Sequence, residues 1–134
     1  MANQPWHAGH LSVLIVDDSQ EFREMYSSYL SYAGVGVTTA IDGLEALQLA
    51  RQYPPDAIVL DLSMSGMSGW QALKELRADS RLSSIPVIVL TAYGTKEDVL
   101  QAGADAFLAK PCLPATLLAH VRRLAQRTVG ASRY

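Results

Sequence analysis

A chain of 134 residues with 49% hydrophobic and 18% charged residues is typical of one globular domain with a buried core, and not of a disordered segment. A net charge of −2 gives no support to nucleic acid or an anionic membrane surface as a partner. The single cysteine, Cys112, excludes an internal disulfide, and no apolar run approaches membrane-spanning length, so we expect a protein of the reducing cytoplasm with no membrane partner.

The first part of the chain leads into a strand and a helix. Residues 1–10 contain Pro, Gly and polar residues without periodicity, and we predict a mobile lead-in to a domain that covers residues 11–127. The continuous apolar run over 11–16 predicts a strand that is buried on both faces, as in a parallel sheet. Ser19 is suitably placed to cap the following helix, and Gly34 to end it.

The same alternation repeats along the rest of the chain. Further strands are predicted over 35–40, 57–62, 85–92 and 106–109, and further helices over 43–52, 70–78, 96–101 and from about Pro114 to about Gln126. Residues 128–134 are expected to fray. The apolar residues that recur at helical spacing include Met25, Tyr29, Leu44 and Trp70. Five strands alternating with five helices require right-handed crossovers, and therefore a parallel sheet with helices on both faces.

Polar side chains follow the predicted strands at their carboxyl ends, where ligands of such sheets bind. They are Asp17 and Asp18 after the first strand, Asp61 after the third, Thr91 after the fourth and Lys110 after the fifth. Three carboxylates at one edge repel each other unless a cation intervenes, and oxygen ligands favour Mg²⁺ or Mn²⁺ over zinc. A metal, a lysine and a hydroxyl beside a carboxylate are the groups that phosphoryl transfer needs. We therefore predict that Asp61, nearest the middle of the sheet, is a nucleophile that forms an aspartyl phosphate.

Together these residues carry a family resemblance. Asp17-Asp18, Asp61 within VLDLSMSGMSGW, Thr91-Ala92 and Lys110-Pro111 resemble, in order and near-family spacing, the receiver domains of two-component response regulators. The resemblance covers roughly residues 11–127. It implies an α/β, flavodoxin-like fold, which is a doubly wound five-stranded parallel sheet of order 2-1-3-4-5 with five helices.

The resemblance also implies a signalling function. The protein would be phosphorylated by a histidine kinase or a histidine phosphotransfer protein and would act as a switch through partner binding, as a monomer or weak dimer. It would catalyse only its own phosphorylation and dephosphorylation. No nucleic-acid partner is expected.

Roles for individual residues follow from the same resemblance. Asp61 would be the phosphoacceptor. Asp18 would be the main acidic metal ligand, with Asp17 helping, and Asp61 and the backbone carbonyl of Ser63 would complete the protein ligands of Mg²⁺ or Mn²⁺.

The remaining roles concern the phosphoryl group and the switch. Thr91 would hydrogen-bond one phosphoryl oxygen and move toward it, and Lys110 would pair with another. Phe107 occupies the place of the family's switch aromatic, and the bond before Pro111 is expected to be cis. From its position two residues after Thr91, we hypothesise separately that the ring of Tyr93 shields the aspartyl phosphate from water.

Two departures from the family pattern bear on regulation. Ser65 replaces the usual proline after Asp61, which should loosen that loop. The stretch from Thr91 to Lys110 is about three residues shorter than is common, so roughly one turn of the fourth helix is expected to be missing. Ser63 and Tyr93, each two residues beyond a key site residue, are predicted to set the lifetime of the phosphoryl group.

Two other functions fit part of the pattern. A degenerate receiver could serve as a binding module that is never phosphorylated. A metal-dependent aspartyl phosphatase would also use an aspartate nucleophile, but such enzymes typically place a second aspartate two residues later, where this chain has Ser63.

Overall fold

The five hydrophobic runs of the sequence form one parallel sheet, and a helix follows each strand. The structure, a computed structural model, describes residues 10–64 and 66–132, the last seven by their backbone alone. In chain order its elements are β1 (Ser12–Val16), α1 (Gln20–Tyr32), β2 (Gly36–Ala40), α2 (Gly43–Gln52), β3 (Ala57–Leu60), α3 (Gly69–Ala78), β4 (Val87–Thr91), α4 (Lys96–Gln101), β5 (Ala106–Ala109) and α5 (Pro114–Ser132). The strand order is β2-β1-β3-β4-β5, so the predicted flavodoxin-like order is confirmed.

The register of the central strands brings two of the predicted acids side by side. Val16, the last residue of β1, pairs with Ala40 of β2 and with Leu60 of β3. Hydrogen bonding continues one residue further, because the N–H of Asp17 donates to Ala40 O (3.1 Å) and the N–H of Asp61 donates to Val16 O (3.0 Å). The backbones of Asp17 and Asp61 are therefore held by the ladder of the sheet.

The sheet separates two apolar clusters. The first cluster lies between the sheet and α2, α3 and α4, and it includes Leu14 and Val16 of β1. The second cluster lies between the sheet and α1 and α5, and it includes Val13 and Ile15. Successive residues of a strand point to opposite faces, so a strand covered on both sides must be apolar at every position. This requirement explains the unbroken apolar run that predicted β1.

Side chains cap the helices at their N-termini. Ser19 accepts a hydrogen bond from the N–H of Phe22 (3.3 Å) at the start of α1, as predicted, and Asp42 accepts one from Glu45 (2.9 Å) at the start of α2. Each bond satisfies one of the N–H groups that the first turn leaves without a helical partner. Gly34 follows the end of α1 with φ of +92°, a conformation that glycine adopts without strain, so its predicted role is confirmed.

One predicted helix boundary is wrong. Helix α5 continues to Ser132 and not to about Gln126, so residues 128–132, which were expected to fray, are helical. The domain limits at residues 11 and 127 stay a prediction. Helical hydrogen bonds form within one segment and can continue where a polar sequence suggests an end. The predicted lead-in lies almost wholly outside the described residues, as does Ser65. Within the described ranges, no helix is both long and apolar enough to cross a membrane.

Four residues assigned to apolar helix faces are substantially exposed: Met25, Tyr29, Leu44 and Trp70. The apolar stripe of each helix is narrower than the spacing suggested, since only Tyr26 and Leu30 of α1 are fully buried. Helical periodicity alone does not show where the edge of a buried stripe lies.

Gly69, at the start of α3, is required by a close approach of two backbone segments. Its N–H donates to Leu62 O (3.2 Å), and a Cβ at this position would overlap the carbonyl oxygen of Asp61. The chain directly after Asp61 is therefore packed against the first turn of α3.

We expect Gly69→Ala to lower the free energy of unfolding by about 1–3 kcal/mol, because the added methyl group must displace backbone. The substitution should also shift the amide resonances of Asp61 and Ser63. Gly34→Ala is the control: it introduces only left-handed backbone strain of roughly 1–2 kcal/mol, with open space around the new methyl group, and should leave those resonances in place. Urea denaturation and amide NMR measure both effects, and unchanged resonances in Gly69→Ala would contradict the packing described.

Candidate functional site

The carboxyl ends of β1, β3, β4 and β5 surround an open cleft of about 420 Å³. Six of the residues predicted for the site line it: Asp17, Asp18, Asp61, Ser63, Tyr93 and Lys110. Thr91 is fully buried at the end of β4, and Phe107 packs, half-buried, against the first cluster. Four separate strands thus bring the predicted residues to one edge of the sheet.

Three carboxylates meet in this cleft. Oxygen atoms of Asp17, Asp18 and Asp61 all lie within 4.8 Å of one another. Asp17 and Asp61 are buried, whereas Asp18 is exposed. The N–H of Ser19 donates to Asp17 Oδ1 (2.9 Å) and the N–H of Ser63 donates to Asp61 Oδ1 (3.3 Å), so each buried carboxylate is oriented by the backbone two residues after it.

Lys110 provides the positive charge of the cleft. Its Nζ lies 2.7 Å from Asp17 Oδ2 and 3.5 Å from Asp61 Oδ2, and its side chain is largely buried. The Arg23 guanidinium also approaches but donates to the backbone carbonyl of Asp17 (2.8 Å). One ammonium does not balance three carboxylates, so the cleft favours an additional cation.

The carboxyl group of Asp61 reflects this imbalance. Burial raises its pKa above the usual range, and the nearby charge of Asp17 raises it further. The hydroxyl of Thr91 and the ammonium of Lys110 lower the pKa, but they only partly oppose the effect of burial. An all-oxygen set of donors with excess negative charge is the kind of site that Mg²⁺ or Mn²⁺ occupies. The residues present therefore fit the predicted metal.

Thr91 and Lys110 are connected through the backbone. The N–H of Lys110 donates to Thr91 O (2.9 Å), which joins the ends of β4 and β5. The Thr91 hydroxyl acts on Asp61 and also accepts a hydrogen bond from the N–H of Tyr93 (3.3 Å). The peptide bond between Lys110 and Pro111 is cis, as expected.

Two aromatic residues of α1 belong to the surroundings of the cleft although the sequence pattern did not single them out. The Phe22 ring centroid lies 3.9 Å from Lys110 Nζ, and the ring stacks on Tyr26. The Tyr26 hydroxyl donates to Cys112 O (2.8 Å), two residues beyond Lys110. The available signal was a pair of aromatic residues at i and i+4 shortly after the two aspartates, but helical spacing equally indicates ordinary core.

Comparison with known proteins identifies the family. Residues 13–122 match the family model described as the response regulator receiver domain. The chain belongs to this family. The receiver covers most of the sequence, and its fold and strand order agree with those that the resemblance implied.

The receiver has curated relatives that are longer than this chain. It is 40% identical over 119 residues to the DNA-binding dual master transcriptional regulator RpaA of Synechocystis. The matched region covers 87% of this chain and 49% of RpaA. It is 39% identical over 121 residues to the probable transcriptional regulatory protein TcrX of Mycobacterium tuberculosis. The matched region covers 88% of this chain and 51% of TcrX. The chain thus spans about half the length of the curated relatives it matches.

The expectation of no nucleic-acid partner finds no support in these relatives, because RpaA is named as a DNA-binding protein. Net charge described only the residues present in this chain, and it carries no information about a binding surface on another part of a longer protein.

Solved structures resemble the receiver over nearly their whole length. The chemotaxis protein CheY4 of Vibrio cholerae is 37% identical with a TM-score of 0.80, covering 87% of this chain and 99% of that one. The receiver domain of the sensor histidine kinase PA1611 of Pseudomonas aeruginosa is 31% identical with a TM-score of 0.81, covering 88% and 99%. The likeness therefore extends from sequence to three-dimensional structure.

The raised pKa of Asp61 leads to a prediction about stability. A raised folded-state pKa means that the folded protein holds the proton more tightly than the unfolded chain, so stability is lost as the pH rises through that pKa. In EDTA at pH 7, Asp61→Asn should therefore melt at a higher temperature than the wild type, with the difference shrinking toward pH 4.

Thermal unfolding followed by circular dichroism measures this difference. Asp98→Asn, the same chemical change on an exposed helix, is the matched control and should not reproduce it. A wild type that is more stable than Asp61→Asn at pH 7 in EDTA would contradict the account of the acidic cleft.

Proposed function

We propose that the protein is a phosphorylation-dependent switch in which Asp61 receives a phosphoryl group from a histidine kinase or a histidine phosphotransfer protein. The observation that carries this proposal is the juxtaposition of Asp61 with Asp17, Asp18 and Lys110 in one cleft, with the three carboxylates within 4.8 Å and the Lys110 ammonium 3.5 Å from Asp61. Membership of the receiver family supports it.

The carboxylates of Asp17, Asp18 and Asp61, with the backbone carbonyl of Ser63, would hold Mg²⁺ or Mn²⁺. Asp18 is the exposed member and is accessible to an entering ion, whereas Asp17 is already engaged by Lys110. When bound, the cation would offset the negative charge of the carboxylates and of the phosphoryl oxygens. The solved PA1611 receiver domain, a similar protein, has a magnesium ion coordinated in its active site cleft.

Phosphoryl transfer would begin with attack of an Asp61 carboxylate oxygen on the phosphorus of a phosphohistidine. As the new O–P bond forms, the P–N bond to the imidazole breaks, the electron pair returns to nitrogen, and the imidazole takes a proton from solvent. Lys110, 2.7 Å from Asp17, would turn its ammonium toward one phosphoryl oxygen, and the Thr91 hydroxyl would donate to another. These residues contribute position and charge, which is most of what such a transfer requires.

The conformational change would begin at Thr91, whose hydroxyl would move toward the phosphoryl group. Its hydroxyl now interacts with Asp61 and with the N–H of Tyr93, so its movement toward a phosphoryl oxygen would pull on the loop between β4 and α4. Phe107 pairs with Val89 of β4 and is half-buried against the first cluster, and it would turn inward as that loop moves. A few kcal/mol of preference for the active state would be enough to shift the populations.

The output would lie in protein contacts made by the face of α4, β5 and α5. Helix α4 has only six residues, in agreement with the short stretch noted in the sequence, so the geometry of this face should be particular to this protein. In a longer protein organised like RpaA, the same contacts would control a DNA-binding region.

Phosphorylation itself is directly testable. With Mg²⁺ and acetyl phosphate, intact-mass analysis should find one added phosphoryl group on the wild type and on Asp98→Asn, and none on Asp61→Asn. Omission of the metal should prevent labelling of the wild type. Absence of labelling, or of any spectroscopic response to beryllofluoride, would favour the phosphorylation-independent binding module, and repeated turnover of a generic phosphate ester would favour a phosphatase.

Tyr93 provides a prediction about how long the phosphoryl group survives. Its side chain lines the cleft while remaining 65% exposed, so the ring is positioned to obstruct a hydrolytic water. Tyr93→Ala should lose its label several times faster than the wild type after excess phosphodonor is removed. Tyr32→Ala removes an almost fully exposed ring of α1 and should decay at the wild-type rate. A Tyr93→Ala rate equal to or below the wild-type rate would reject the shielding role.

A further inference from the structure

The ammonium of Lys110 is contacted by an aromatic ring that also lines the cleft. Its Nζ lies 3.9 Å from the Phe22 ring centroid, while it bonds Asp17 Oδ2 at 2.7 Å. A cation over the face of an aromatic ring is attracted by the negative potential of the ring, and the attraction is stronger where water is excluded. The side chain of Lys110 is largely buried, so this condition is met.

Phe22 is itself supported by a second ring. It stacks on Tyr26 with the centroids 6.2 Å apart and the planes 13° from parallel. Tyr26 is almost completely buried in the second cluster, and Leu30, one turn further along α1, is buried beside it. The Phe22 ring is therefore held by a residue that cannot move without disturbing the core.

Tyr26 also reaches the chain that carries Lys110. Its hydroxyl donates to Cys112 O at 2.8 Å. Lys110 is tied to Thr91 by its N–H, Pro111 has no N–H to donate, and Leu113 is 73% exposed before α5 begins. The Leu113 carbonyl accepts from Thr116 and Leu117 at the start of α5. The hydrogen bond from Tyr26 therefore holds the backbone at Cys112, between the sheet and that helix.

We propose that Phe22 and Tyr26 are positioning residues for Lys110, Phe22 by holding the ammonium against the acidic cleft and Tyr26 by fixing the backbone that follows it. Neither residue donates to or accepts from the carboxylates; both act through the lysine. The proposal rests on the proposed function in one respect, namely that the phosphoryl group is what Lys110 is positioned to meet.

Ordinary packing is the competing explanation, and it makes different predictions. If Phe22 only fills space, Phe22→Leu should leave the affinity of the cleft for beryllofluoride unchanged, since leucine is also a good helix former and apolar. If Tyr26 only fills space, phenylalanine should replace it without any change at Cys112. The positioning role requires the aromatic ring of Phe22 and the hydroxyl group of Tyr26, whereas ordinary packing requires neither.

The first measurement uses the metal-free protein and needs no phosphorylation. A ring that lies over Lys110 shifts the resonances of the lysine ε-methylene group upfield, and NMR should find this shift in the wild type and in Phe22→Tyr, which keeps the ring. Phe22→Leu should remove it. An unchanged ε-methylene resonance in Phe22→Leu overturns the proposal.

The second measurement concerns the ligand. In Mg²⁺, Phe22→Leu should weaken the binding of beryllofluoride by about five- to thirtyfold, the factor that 1–2 kcal/mol represents. Tyr26→Phe should weaken it by a smaller factor and shift the amide resonances of Cys112 and Leu113. Tyr29→Phe, which removes a tyrosine hydroxyl from the exposed face of α1, is the matched control. It should change neither the affinity for beryllofluoride nor the amide resonances of Cys112 and Leu113.

The two measurements separate the possible failures. If wild-type protein does not respond to beryllofluoride, the proposed function fails, and the ε-methylene resonance still decides whether the Phe22 ring lies over the lysine in solution. If the wild type binds and both variants bind as tightly, the positioning role is overturned while the function stands. Should Phe22→Leu not fold, Tyr26→Phe, which keeps the ring and its volume, decides through the Cys112 and Leu113 resonances and the affinity.

Discussion

The functional edge of the sheet depends on backbone hydrogen bonding that continues one residue beyond the central strands. The N–H groups of Asp17 and Asp61 donate to Ala40 and Val16, so both acids are carried by the ladder and not by a mobile loop. Neighbouring strands lie about 4.8 Å apart, which keeps the two acids adjacent whatever their charge. Separation of the two backbones therefore does not relieve the repulsion of the carboxylates. Lys110 offsets part of it, and a bound cation, protonation or chemical change of one carboxylate would offset more.

This constraint links stability to signalling. A buried carboxyl group whose charged form is disfavoured makes the fold less stable than an uncharged substitute would, and such costs are common where a site is built for binding. The same cost makes the cleft responsive, because a cation or a phosphoryl group alters the charge beside two buried carboxylates, where water screens charge less than in bulk solvent. Thr91 and Lys110, joined through one backbone hydrogen bond, both lie beside Asp61.

The sequence predicted most of the fold and the composition of the cleft. Fully buried strands are unbroken apolar runs, and polar residues that follow such runs must lie at one edge of a parallel sheet, so Asp17, Asp61 and Lys110 could be brought together without coordinates. Contacts across the sheet could not be predicted in the same way. That the ring of Phe22 would lie over Lys110 depends on the crossing of α1 with the chain after β5, which no local pattern encodes.

The sequence also predicted side-chain exposure and helix ends poorly. Leu44 is 54% exposed although it lies at helical spacing from buried residues, because the width of a buried stripe depends on what packs against it. The continuation of α5 to Ser132 was also not predicted from the sequence. Gly69 illustrates the converse case, in which a residue typical of a loop is fixed by the carbonyl oxygen of Asp61.

The division of the core into two clusters has a consequence for how such proteins diverge. Substitutions that lie far apart and share no partners combine almost additively, so a change beneath α3 and a change beneath α5 place few demands on each other. A lineage could therefore remodel one side of the sheet to suit a new partner while the other side drifts neutrally. The strands contribute residues to both clusters, so substitutions within them affect both sides of the sheet.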